Sequence, residues 1–330
     1  MRFIFGILIM TPVVGLAQLG GELGYQSLNV SSNPRSAALG GSTISLSDGD
    51  ISQFFMNPAT LDSVDAGSIF FHLNPYFADA FVYSLAYSFN IKGTENFAVG
   101  LQYLNFGSFD LTDETGQKLG SFNASDYVFF IGKVHQVGPI ALGGTLKFLN
   151  STIDTYSSSA LTMDLGGVFR INPNWSFAMV FENMGVTLTD YSKDSDKSLP
   201  FDVRLGTSFK PRYMPVRFTF TSNSLIRTNL TASNEDDDRS SETIDKVLRR
   251  INFGTEFLLS KNFQLLAGYN HKRKQELRLD ETGGGAGFSY GFMLKIKQFQ
   301  MRFSRAVYHA AGGTSFISIQ TNLKDFKKIL

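Results

Sequence analysis

Apolar and polar residues alternate with period two in fourteen successive stretches between Gly67 and Leu323, and the gaps between them run alternately short and long. In "AFVYSLAYSF", Phe81, Tyr83, Leu85, Tyr87 and Phe89 fall on one face, and Val82, Ser84, Ala86 and Ser88 on the other. Period two specifies a strand, because successive side chains point to opposite faces. The pattern predicts strands over 67–74, 79–90, 96–107, 125–136, 139–152, 160–171, 174–185, 199–209, 214–223, 250–260, 262–272, 284–297, 299–309 and 312–323. Connections near Gly93, Gly138, Pro173, Pro211, Lys261 and Gln298 are short, whereas 108–124, 153–159, 186–198, 224–249 and 273–283 are longer. An even strand number with short turns on one side and larger loops on the other is the pattern of an antiparallel transmembrane β-barrel. The short turns then lie in the periplasm, together with both termini.

The two faces differ in chemistry. Phe201, Val203, Leu205 and Phe209 alternate with Asp202, Arg204, Gly206, Ser208 and Lys210. Phe288, Tyr290, Phe292, Leu294 and Ile296 alternate with Ser289, Gly291, Met293, Lys295 and Lys297. A charge at the bilayer midplane costs about 2–4 kcal/mol for Arg or Lys, so the apolar set is expected to face lipid. The lumen is then expected to hold Lys147, Asp164, Arg170, Glu182, Asp202, Arg204, Glu256 and Arg302. Lys133 is in phase with the apolar Tyr127, Phe129 and Ile131, so it either snorkels at the rim or marks a misphased strand. A soluble β-sandwich or lectin also alternates, but its outward face is polar and its strands are shorter.

Composition narrows the picture. The chain carries 32 Phe and 12 Tyr against one Trp, with 18% charged residues. No apolar run of about 18 residues follows the N-terminal region, so a spanning helix is not expected. The absence of cysteine removes disulfides and thiolate sites, and a net charge of +1 gives no reason to expect nucleic acid. At the start, Arg2, the apolar "FIFGILIMTPVVGL" and the small Gly15 and Ala17 read as a signal peptide over 1–17, against the alternative of a buried strand. Residues 18–66 do not alternate and form an N-terminal hatch or plug. The barrel covers 67–323, and 324–330 are a periplasmic tail.

Motifs outside the alternation carry little chemistry. "GFSYG" at Gly287–Gly291 matches a nucleophile elbow, yet Ser289 sits inside a strand with no helix after it. "GGGAG" at Gly283–Gly287 lacks the Lys of a phosphate loop. His72, His135, His271 and His309 are scattered over different strands, without metal-ligand spacing. Glu235, Asp236, Asp237 and Asp238 lack the spacing of a calcium hand and read as a solvated loop. In "SSETIDKVLRR", Ile244, Val247 and Leu248 stand at helical spacing, predicting a short amphipathic helix in the largest outer loop. No catalytic residue, metal or cofactor is expected. Fourteen strands enclose more space than wall side chains fill, so the lumen is either plugged or a channel.

The segment "SNPRSAALGGSTISLSDGDISQFFMNPATLDSV" resembles the hatch of the long-chain fatty acid transporter (FadL-like) outer-membrane barrels. Within that superfamily the whole chain is most similar to the PorQ/PorV group of the type IX secretion system. The resemblance covers the hatch, the strand pattern and the closing "GGGAGFSYGFMLKIKQFQMRFSRAVYHAAGGTSFISIQTNL". It implies a hatch centred on Gly40, Gly41, Asp48, Asp50, Asn57, Pro58 and Ala59. It also implies a scaffold in a cell-surface attachment complex, with PorZ-like, PorU-like and PorV-like partners in the outer-membrane lipid. The alternative is transport of hydrophobic small molecules. Asp48 and Asp50 are expected to pair with lumen bases such as Arg170 or Arg204.

Overall fold

The computed structural model describes residues 24–76, 80–91, 95–191, 198–222, 224–226, 245, 247–277, 285–309 and 312–327. Alternation resolves into a closed antiparallel barrel in which each strand pairs with its sequence neighbours and β1 with β14. The strands are β1 Ser68–Pro75, β2 Phe81–Ile91, β3 Glu95–Thr112, β4 Lys118–Val137, β5 Ile140–Ile153, β6 Tyr156–Asn172, β7 Trp175–Thr189, β8 Asp202–Phe209, β9 Val216–Ser222, β10 Ile251–Phe257, β11 Phe263–Asn270, β12 Phe288–Ile296, β13 Phe299–His309 and β14 Gly312–Asn322. Every expected strand therefore has its counterpart. Closure leaves the sheet without an open edge, which a structure crossing hydrocarbon requires.

Two of the expected long loops are instead hairpin tips. The segment expected as a loop over 108–124 continues the β3–β4 ladder across a register shift between Asn105 and Ser108. Its turn is closed by Asp113, whose carboxylate accepts from the Thr115 amide at 2.9 Å and the Gln117 amide at 2.8 Å. The alternation is broken by the shift, which moves every later side chain to the other phase. Likewise β5 and β6 are joined by two residues, with Asp154 at φ +54°, where 153–159 was expected as a loop. The wall is uneven in consequence. β3 and β4 run 18 and 20 residues, whereas β8 to β11 run 7 or 8. Since about 9–11 residues cross a bilayer, the β3–β4 side continues beyond it. At the other end, Leu323–Lys327 form a short helix after β14, within the segment expected as a tail.

Leu85, Tyr87, Phe129, Ile131, Leu146, Phe169, Leu205 and Phe292 are exposed on the outer face, while Ser84, Ala86, Val128, Phe130 and Ala141 are buried inside. Lys133 is exposed on the outer face, in phase as its strand requires, with its ammonium 5.6 Å from the Phe97 ring centroid. It lies five residues before the Gly138 turn, a position from which a lysine stem can cover apolar surface and carry its charge toward the rim. Leu146 stands outward between Ile131 and Met163. Leu146→Arg is expected to lower barrel stability by about 2–4 kcal/mol, read by equilibrium unfolding in phospholipid vesicles. An unchanged midpoint would remove this face from the lipid belt.

The core lies inside the barrel. Ile44, Ile51, Phe54, Phe55, Ala59, Leu61 and Val64 pack with wall residues Phe70, Val128, Phe130, Leu149 and Val180. Residues 34–64 fill the lumen as four short pieces, three of them helical with the same start. Asn33 precedes Pro34 and accepts from the Ser36 amide at 2.6 Å, starting the helix Pro34–Ala38. Asn57 precedes Pro58 and accepts from the Ala59 amide at 2.9 Å, starting the 3-10 helix Pro58–Ser63. Proline holds the preceding residue extended, and asparagine in that conformation caps the first free amides. Asp50 caps Ile51–Phe55 in the same way, accepting from the Ser52 amide at 3.0 Å.

Candidate functional site

The hatch sits against the wall where the wall lacks side chains. Inward positions on seven strands are glycine: Gly100, Gly132, Gly143, Gly166, Gly206, Gly254 and Gly268. A Cβ at Gly132 would lie 2.3 Å from the Phe54 ring, and one at Gly166 2.0 Å from the Asn57 side-chain oxygen. At Gly206 and Gly254 it would meet Ile44 and Leu39, both at 2.7 Å. At Gly143 it would be 2.5 Å from the Pro58 carbonyl carbon, and at Gly268 2.3 Å from the Gly40 amide nitrogen. The wall glycines are seats for the hatch, for its side chains at Gly132, Gly166, Gly206 and Gly254 and for its backbone at Gly143 and Gly268, a role strand glycines serve where another segment approaches closely. Gly40 and Gly41 themselves have φ of +97° and +112°, which side-chain-bearing residues rarely adopt.

Charge then fixes the seated hatch. Arg35 donates to both oxygens of Asp48 at 2.7 and 2.8 Å, and to both oxygens of Glu256 at 2.8 and 3.1 Å. Arg217 on β9 donates one amino group to Asp48 at 2.6 Å and to Glu256 at 3.0 Å. Asp50 takes Arg35 at 3.3 Å and Arg302 on β13 at 3.0 Å. Three guanidiniums thus face three carboxylates across the hatch–wall boundary, with forked geometry that suits Arg. Burial raises the Asp48 carboxyl, but the Arg35 and Arg217 charges outweigh it and hold the group well below the usual carboxylate range.

The expected partners of Asp48 and Asp50 are therefore corrected. Arg170 instead pairs with Asp62 and donates to the Ser47 hydroxyl at 2.7 Å. Arg204 pairs with Glu182 at 3.1 Å and donates to the Ser42 hydroxyl at 2.9 Å. Both bases do face the lumen and both grip the hatch, but at other heights, which the phase of a strand does not specify. Lys147 pairs with Asp164 at 2.6 Å and donates to Asn183 at 2.8 Å. Asp202 accepts from the Ser224 hydroxyl at 2.8 Å. Arg35, Arg217 and Asp62 were not singled out from sequence, although Arg217 shares the inward phase of Thr219 and Thr221 and was legible there.

Ser289 of "GFSYG" is buried and structural: its hydroxyl donates to the Ala38 carbonyl at 2.9 Å and accepts from the Gly40 amide at 3.2 Å. His72 is buried between the Phe70 and Phe316 rings, His135 is exposed on the outer face, and His271 meets Asp245 at 2.6 Å. The His309 side chain lies outside the described residues, as do Glu235, Asp236, Asp237, Asp238 and Ile244. Of the expected outer-loop helix, Asp245, Val247 and Leu248 are helical, with Val247 and Leu248 exposed. Asp245 also pairs with Arg249, tying this end to the helix His271–Leu277 through His271.

Above the hatch, on the tall β3–β7 side, a cavity of about 450 Å³ opens toward the outer surface. Phe106, Phe109, Phe122 and Ile153 form its apolar walls, with Tyr25 at the start of the described hatch as its floor. Ser27, Asp126, Ser151, Ser158, Asp190 and Tyr191 add polar groups to the lining. Tyr25 bonds Ser158, whose hydroxyl donates to the Thr189 carbonyl at 2.7 Å, and Tyr191 joins Ser151 and Asp126. A mostly apolar concavity with a few convergent polar groups is how small-molecule sites are built.

No protein-family model matches the chain, and no curated protein matches it in sequence. Among solved structures it is similar to the toluene transporter TodX of Pseudomonas putida, at 11% identity and a TM-score of 0.53, covering 88% of this chain and 96% of that one. The monoaromatic hydrocarbon channel CymD gives 12% identity and a TM-score of 0.54 over 89% of this chain and 98% of that one. A FadL homologue of Pseudomonas aeruginosa gives 10% identity and a TM-score of 0.51 over 88% and 98%. The first two are by name a transporter and a channel, and none of the three names refers to protein secretion. The closed barrel, its lipid-facing belt and these likenesses together give the chain a FadL-like outer-membrane barrel fold, with its place in the outer membrane.

Proposed function

We propose that this barrel admits hydrophobic small molecules through the outer membrane, with the outer cavity as the first binding site and the hatch as the closed gate beneath it. The observation that carries the reading is the cavity walled by Phe106, Phe109, Phe122 and Ile153, directly over the hatch. Support also comes from a fold shared with a toluene transporter and a monoaromatic hydrocarbon channel. Burial of an apolar ligand there is driven by the surface it removes from water, about 25 cal/mol per Å², and needs no charged partner. The lumen below is closed by paired charges of both signs, so passage requires the hatch to move.

The second reading is a scaffold for surface attachment of secreted proteins, with PorZ-like, PorU-like and PorV-like partners. It is favoured by the ion pairs that tie the hatch to the wall at Glu256, Arg217, Arg302 and Arg170, and by the exposed Val247 and Leu248 on the outer loop. One experiment separates the two. Cells lacking the protein are complemented with the wild type or with Phe109→Asp/Phe122→Asp, and toluene uptake and surface retention of secreted cargo are both measured. Uptake lost in the double variant, with cargo retained, is expected. Unaltered uptake with cargo shed from cells lacking the protein would replace transport by the scaffold.

A further inference from the structure

We propose that the periplasmic mouth of the lumen holds a binding site for a small oxyanion, a carboxylate or a phosphate, formed by Lys210, Arg170, Arg217 and the Ser45 hydroxyl. A polar cavity of about 90 Å³ lies there, between hatch residues Ser45–Asp48, the β6–β7 turn at Pro173 and Asn174, and the end of β8. It has room for one such group and none for an apolar body, which separates it from the outer cavity.

Each donor has capacity left after the contacts inside the protein are counted. Lys210 lies just past β8, where its amide donates to the Asn174 carbonyl at 2.8 Å, and its ammonium has no carboxylate partner among the described residues. Arg170 contacts Asp62 and Ser47 through the same terminal nitrogen, Nη2. Arg217 likewise contacts Asp48 and Glu256 through Nη1 alone. A guanidinium carries five N–H donors, so each keeps a second terminal nitrogen and its Nε. Ser45 is the most telling. Ser45 lines the cavity and its carbonyl already accepts from Ser176 at 2.9 Å and Ser208 at 3.3 Å, while its hydroxyl is fully buried and has no partner. A buried hydroxyl left unbonded is unfavourable, and an acceptor reaching it from the cavity would complete its bonding.

The charge balance points the same way. Three cations line the space with one carboxylate, Asp48; Arg170 is offset by Asp62 and Arg217 by Asp48 and Glu256, which leaves the Lys210 ammonium as the charge without a carboxylate among the described residues. An anion here meets a point charge from Lys and planar donors from Arg, the combination that binds carboxylates and phosphates elsewhere. The site stands whatever passes through the barrel.

Isothermal titration of the detergent-solubilised full chain, in non-ionic detergent at low salt, tests it with inorganic phosphate and with acetate. Saturable heat with one or both probes is expected, and the tighter probe identifies the class of anion. Lys210→Gln is expected to weaken that probe about tenfold, the equivalent of one charge-assisted hydrogen bond, with Lys210→Arg restoring most of it. Ser45→Ala should weaken it by a smaller factor, and the exposed Lys118→Gln on the outer hairpin not at all. No saturable heat with either probe, or equal binding by Lys210→Gln and the wild type, overturns the site.

Discussion

Gly268→Val is expected to unseat the hatch and turn a closed barrel into a conducting one. The added Cβ would lie 2.3 Å from the Gly40 nitrogen, 2.5 Å from the Ala38 carbonyl oxygen and 2.5 Å from the Leu39 carbonyl carbon. All three atoms are backbone, held by the Ser289 hydroxyl and by the Asn270 side chain, which donates to the Gly40 carbonyl at 2.9 Å. No side chain can rotate away, so the hatch must shift or the wall must bulge. Overpacking of this kind costs about 1–3 kcal/mol, and the hatch, joined to the barrel by one covalent connection, is the easier part to displace. Planar-bilayer recordings should show stepwise openings absent from the wild type, and added protease should cut the hatch. Unboiled protein should still migrate as a folded barrel on gels. Gly143→Ala, which meets the Pro58 backbone, is expected to act in the same direction, whereas Gly120→Ala, with nothing within 4 Å, is the silent control. A closed, protease-resistant Gly268→Val protein would mean that the wall glycines do not seat the hatch.

These glycines show where the sequence stops being legible. Each strand announces itself by its own alternation, a local property, and the inward phase of Gly100, Gly132, Gly166 or Gly206 follows from the same pattern. That they meet one inserted segment does not follow, because the height of each strand is set by the stagger around the whole barrel. The same limit explains the ion pairs. Phase puts Arg170 and Arg204 inside, but only the closed barrel sets one beside Asp62 and the other beside Ser42. The β3–β4 hairpin was hidden for a different reason: the register shift after Asn105 breaks period two, so a continuing ladder reads as a loop. The hatch was the opposite case. Its Asn33-Pro34 and Asn57-Pro58 pairs are local capping signals, and both cap helices in the fold.

The second large effect is expected at Arg35. Arg35→Met removes four of the hydrogen bonds that join hatch to wall and hatch to itself, at Asp48 and Glu256. Glu256 and Asp50 are fully buried, and each would keep a single guanidinium, Arg217 for one and Arg302 for the other. Leaving a buried charge short of its partner costs about 3–5 kcal/mol, whereas exposed pairs such as Lys118 with Asp110 contribute little. The variant should therefore release the hatch at a lower temperature and lower denaturant concentration than the barrel unfolds, giving two transitions where the wild type gives one. Glu256→Gln, which leaves three guanidiniums facing two carboxylates, should act in the same direction but less. The lock also has a defined acid limit. Asp48 is held below the ordinary carboxylate value of about 3.9, so its contribution is fully present above that pH. It is lost only as the pH falls through the lowered folded value. In wild-type hatch release, followed by protease cleavage, the Asp48 contribution should persist from neutral pH to about 4 and be lost only in stronger acid. An Arg35→Met protein with wild-type protease resistance and one coincident melting transition would show that packing against the glycine seats, and not this charge lattice, keeps the lumen closed.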